Sequence, residues 1–138
     1  MPSVAAASEL STVFQFRVSL LNNEFEVWRS VQMPSDFTFH DLHAAIQFAM
    51  DWEGVDKDNH FFEAIDNLDG TTHTIGSPGP CVFDERTVKL SDYFLEVNDS
   101  ANYYYDYDTA WLHRVDLEKI LPAGEDKVYP VYVEGVGL

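Results

Sequence analysis

The stretch Phe37–Trp52, FTFHDLHAAIQFAMDW, carries the one sustained helical period in the chain. Phe39, Leu42, Ala45, Ile46, Ala49 and Met50 recur at spacings of three and four, which gathers them into a single apolar stripe. Thr38 stands at the N-cap and Asp41 at the third helical position, a shortened capping box. Phe37 and Leu42 have the spacing of a hydrophobic staple, and Gly54 sits where a left-handed residue commonly ends a helix. His43 and Gln47 flank the stripe. Phe48 lies off it, so a second layer or a partner is expected to meet that ring.

Outward from this helix the pattern changes to a period of two. Phe14, Phe16, Val18 and Leu20 share one face of a strand, with Gln15, Arg17 and Ser19 on the other. Asn22-Asn23 suits a tight turn into a second strand, in which Phe25, Val27, Val31 and Met33 share a parity. Arg29 falls on that apolar parity and Trp28 on the opposite one. Either a bulge shifts the register there or a buried arginine needs a partner. Further strands are expected over His60–Ile65, over Tyr103–Tyr107 and Trp111–Ile120 as a hairpin, and over Val128–Val133, where Pro130 implies a sheet edge. Asp69-Gly70 reads as a turn, Gly76–Pro80 as a loop, and Leu90–Phe94 as one helical turn. Residues 1–11 read as a flexible tail and 12–138 as one domain. The expected class is α+β: a largely antiparallel sheet with one main helix packed across it, in a β-grasp-like topology.

Composition narrows the function classes. The chain has 138 residues, a formal charge of −16 and 46% hydrophobic residues, so it folds and is acidic. That charge opposes nonspecific binding to nucleic acid or to an anionic membrane, both of which are negative. The acids are scattered rather than gathered in a tail, which reads as solubility and leaves basic partners open. Cys81 is the single cysteine, so the chain can form no internal disulfide, and a reducing, cytoplasmic setting is expected.

Phosphate-binding loops, nucleophile elbows, dinucleotide fingerprints and paired-histidine zinc helices are all missing from the sequence. The acids between Asp51 and Asp69 lack the glycine and glutamate of a calcium loop. Cys81 has no basic residue nearer than Arg86 to lower its pKa. Of the five histidines, His43, His60 and His113 are placed to converge, and Asp106 is a carboxylate within their reach, a set suited to acid–base work or a metal. Local hydrogen bonding at the core boundary accounts for the same histidines without function. A three-residue loop at Asp108-Thr109-Ala110 pairs Tyr105 with His113 and breaks any Asp106–His113 dyad. A two-residue loop places His113 opposite Tyr104, on the face of Asp106.

An ordered set of segments resembles one family: Phe16-Arg17-Val18 to Val27-Trp28-Arg29, Leu42–Gln47 with Met50-Asp51-Trp52, and His60–Glu63. Val88–Asp92 and Tyr105-Asp106-Tyr107 through Trp111 and His113 to Pro122 complete it. In this order and spacing the chain is similar to the plasmid pRiA4b ORF-3-like family, also met as passenger proteins of insertion elements. The resemblance implies an α+β domain and no established reaction. It maps the family's recurrent polar and aromatic positions onto Trp28, Arg29, His43, His60, Asp106, Trp111 and His113, expected to share a binding pocket. The chain departs from the family at Asp108-Thr109-Ala110, where a glycine-rich turn is usual; the Cys-Pro-Pro-Glu-Asp-like segment that often follows in the family is not among residues 1–138. The function expected is therefore a non-enzymatic interaction module or mobile-element accessory with an unknown protein partner, needing no cofactor or metal. Neither nucleic acid nor membrane is expected as a partner. The alternative is a metal-assisted or acid–base enzyme of hydrolase type, built on the His/Asp cluster.

Overall fold

Alternation in β1 (Thr12–Leu20) buries Phe14, Phe16, Val18 and Leu20 and turns Arg17 and Ser19 outward, as a half-buried strand requires. A computed structural model describes residues 12–21, 24–50, 60–80, 82–105, 111–123 and 128–137. After β1 come β2 (Trp28–Pro34), α1 (Phe39–Met50), β3 (His60–Ile65), β4 (Thr72–Gly76) and β5 (Val82–Asp84). A 3-10 turn at Leu90–Asp92 leads to β6 (Ser100–Tyr105), β7 (Trp111–Pro122) and β8 (Val131–Val136). The strands form one eight-stranded sheet in the order β5-β4-β3-β6-β7-β1-β2-β8. Its pairings are antiparallel except β4 with β5. The protein is a sheet-dominated α+β fold, and the β-grasp-like expectation gains no support from this order.

Strand pairing lines up one apolar face. Ile75, Phe62, Tyr103, His113 and Leu20 form a row across β4, β3, β6, β7 and β1, and every member is buried. Phe39 of α1 meets Phe62 edge-on at 5.2 Å between centroids and Tyr93 at 5.6 Å. Burying each such ring contributes roughly 1.5–3 kcal/mol. The opposite face is mixed and polar. There the Arg17 guanidinium lies 3.8 Å over the Trp28 ring, Gln32 donates to Gln15, and Phe61 stacks on Tyr104. One covered face and one wetted face is the ordinary condition of an antiparallel sheet.

Several expectations are corrected. Phe25 precedes β2 and is 71% exposed, so the second strand starts at Trp28 rather than Phe25. The last strand runs over Val131–Val136 rather than Val128–Val133, because Pro130 has no N–H for a ladder; its place at the sheet edge is as expected. The sequence reading missed β4 and β5, which are short strands beside the Gly/Pro loop. The hairpin takes neither loop register considered: Tyr105 pairs with Trp111 and Tyr103 with His113. Burial excludes the two-residue loop, whose one-residue slip would set buried His113 on the face opposite to buried Tyr103 and Tyr105; the three-residue loop differs by two residues and keeps the same faces. Asn22-Asn23, Gly54, Cys81, Asp106, Tyr107 and the Asp108–Ala110 loop lie outside the described residues.

Candidate functional site

Two hydrogen-bonded links organise the buried histidines. The first starts from helix spacing: His43 and Gln47 are one turn apart on α1, so both side chains reach the same point on β6. That point is the Tyr103 hydroxyl, 2.6 Å from His43 Nδ1 and accepting from Gln47 Nε2 at 2.9 Å. Burial, reinforced by Tyr105 and Glu85 against the Gln47 bond, pushes the Tyr103 phenol far up. The phenol therefore keeps its proton.

The second link is centred on Glu85, in the turn after β5, and 1% exposed. His60 Nε2 of β3 is 2.7 Å from one carboxylate oxygen and His40 Nδ1 of α1 is 2.6 Å from the other. Desolvation pulls the Glu85 pKa upward, yet the His60 and His40 bonds and the histidine charges outweigh it and hold the group at about 2. An ionised carboxylate only accepts, so both imidazole nitrogens donate. The same turn also serves the helix, because the Glu85 carbonyl accepts from His40 N and the Val88 carbonyl from Phe39 N, both otherwise unpaired at a helix start.

The links touch where His43 and His60 stack, 3.5 Å between centroids and 5° from parallel. His113 packs against Tyr103 at 5.3 Å, its Nδ1 3.4 Å from the Tyr103 carbonyl. Glu85, His60 and His43 are buried, while the His40 side chain is 38% exposed and opens the network to solvent. Within each link a proton can be held or shared between hydrogen-bonded groups. Among the described residues, no group of metal-type ligands includes any of these histidines.

Of the seven residues expected to share a pocket, His43, His60 and His113 meet around Tyr103. Trp28 lies on the other face of the sheet beneath Arg17. Arg29 is on the apolar parity and is an arginine with partners. It donates to the carbonyls of Ala49, Trp28, Val136 and Gly137, tying the end of α1 to the edge strand. Trp111 pairs through its backbone with Tyr105, and Asp106 is outside the described residues. Sequence reasoning missed Glu85, His40, Gln47 and Tyr103 as members of the network. His40, His43 and Gln47 share a helical spacing that was there to be read. Nothing local marks Glu85, which reads as one more surface acid between Asp84 and Arg86.

A second feature lies at the far end of α1. Phe48 is 72% exposed and packs on Tyr132 of β8 at 5.0 Å. With Arg29, Ala49, Val133 and Glu134 these rings line an open groove of about 290 Å³.

These features define a class of small, sheet-dominated α+β domain with a buried histidine–carboxylate network drawn from the helix, a strand and a turn. The chain belongs to the plasmid pRiA4b ORF-3-like family, whose model matches residues 12–138. Among solved structures it is similar to the crystal structure of MM3350, a protein of unknown function from Methanosarcina mazei Go1. The two are 38% identical with a TM-score of 0.83, over 91% of this chain and 69% of that one. No curated protein matches it. No helix among the described residues is long and apolar enough to cross a membrane.

Proposed function

We propose that the protein is a cytoplasmic, non-enzymatic interaction module, an accessory of a mobile element, that seats a basic partner segment in the groove between α1 and β8. The exposed Phe48–Tyr132 pair carries this reading, because an aromatic pair beside a concave apolar patch is what binding surfaces use as an anchor. On α1, Phe48 is exposed while Phe39, Leu42, Ala45, Ile46 and Met50 are buried. A net charge of −16, with Glu134 on the groove wall, selects a basic partner and opposes nucleic acid and a second copy of this chain. The β2–β8 register shifts between Ser30 and Val31, and such a bulge hinders addition of another strand at this edge. The partner is therefore held by a side chain in the groove.

The test is fluorescence anisotropy with two labelled peptide sets, aromatic residues flanked by lysine and arginine or by glutamate. Binding of the basic set, weakened at least about tenfold by Phe48→Glu and by added salt, supports the reading. Equal binding of both sets by the wild type and Phe48→Glu, or none, overturns it, and sedimentation exposes self-association.

A second reading, acid–base catalysis of hydrolase type by His43, His60, His113 and Asp106, is favoured by one observation. His40 links the buried Glu85–His60 pair to solvent. Turnover of chromogenic esters or phosphates that is lost in His43→Gln, with the fold intact by circular dichroism, would establish it.

A further inference from the structure

On the edge of the sheet away from the groove, the turn after β3 brings an imidazole and two carboxylates together. Ligand atoms of Asp66, Asp69 and His73 all lie within 4.8 Å of one another. We infer that Asp66, Asp69 and His73 form a binding site for a first-row divalent cation such as Zn²⁺ or Mn²⁺, with water completing its coordination.

The donor atoms are held in place from outside the triad. The Tyr93 hydroxyl, from the segment after the 3-10 turn, is 2.8 Å from His73 Nδ1. That engages one ring nitrogen and leaves Nε2 facing Asp66, the arrangement a metal-ligating histidine has when a neighbour fixes its tautomer. Asn67 donates to the Tyr93 carbonyl at 2.9 Å, so the turn bearing both acids is fastened to the residue that orients the imidazole. Each carboxylate commits Oδ1 to the turn, Asp66 to Leu68 N and Asp69 to Thr71 N and Oγ1. This leaves Oδ2 of each for a ligand. Phe83 packs on the other side of the His73 ring at 4.6 Å.

The spacing, which is that of an ion pair, also fits a shared cation. His73 Nε2 and Asp66 Oδ2 are 3.6 Å apart, too long for a hydrogen bond. Two ligands on one metal with bonds of about 2.1 Å at a tetrahedral angle are separated by about 3.4 Å. Two carboxylates and a neutral imidazole balance a dication, and the mixed nitrogen and oxygen set suits zinc or manganese better than magnesium, which prefers oxygen and water.

Calorimetric titration of the full chain, stripped with chelator, by ZnCl₂ and separately MnCl₂ tests this. One equivalent should bind, with affinity at least about tenfold weaker in Asp69→Asn and His73→Gln, and weaker in Tyr93→Phe. Asparagine keeps the turn bonds to Thr71, so Asp69→Asn separates ligand loss from misfolding. Excess MgCl₂ should not compete. Absence of binding, or one equivalent bound with unchanged affinity in Asp69→Asn and His73→Gln, overturns the site.

Discussion

Glu85 loses its water on folding and gains two imidazole donors, one from α1 and one from β3. Its folded pKa falls to about 2 from 4.5, so the sign of the linkage is fixed. The stabilisation is present above the unfolded value and is lost as pH falls through the folded one. Stability should therefore drop between about pH 5 and pH 2, by about 2 kcal/mol after discounting for solvent reaching the pair through His40. Glu85→Gln should cost about 3 kcal/mol at neutral pH, by leaving two imidazole N–H groups facing an amide, and should flatten that acid limb. Urea titrations of both proteins across this range check it; an unchanged acid limb in Glu85→Gln would place the pH dependence elsewhere.

At the scale of the element, α1 is the part of the protein most openly written in sequence. Its stripe is buried as spaced except at Ala49, which is half-buried, and His43 joins it; its capping box forms reciprocally. Thr38 N donates to Asp41 Oδ2 at 2.9 Å and Asp41 N to Thr38 Oγ1 at 3.2 Å. Asp41→Ala removes one arm of that box and a negative charge from the positive end of the helix dipole. It should cost about 1 kcal/mol in thermal or chemical denaturation. The edge elements were less legible. β4 and β5 are too short to show a period, and β5 pairs in parallel only because the Gly/Pro loop returns the chain beside β4.

Across the whole molecule Arg29 joins parts of the chain that are distant in sequence. It reaches Ala49 on the helix, Val136 at the end of β8 and Gly137 just past it. Arg29→Met keeps much of the apolar stem and removes every one of these bonds. It should destabilise the fold by about 2–3 kcal/mol. Hydrogen exchange should quicken in β8 and the last turn of α1, while β3 and β6, on the other side of the sheet, keep their protection. Uniform acceleration across all strands would show that Arg29 acts on global stability and not on this junction.

Local chemistry by itself determined the helix and its cap, the two faces of β1, the edge position of the strand after Pro130, and the candidacy of His43, His60 and His113. Each of these follows from the spacing or identity of neighbouring residues, which backbone geometry converts directly into a face or an end. The tertiary structure alone decided that Glu85 and His40 complete the network and that Arg29 finds carbonyl partners. Those outcomes depend on strand order and register, which bring together residues 25 positions apart in His60–Glu85 and 60 apart in His43–Tyr103. Register is set by which face is buried over the whole sheet, and that sum over many residues is not visible at any one of them.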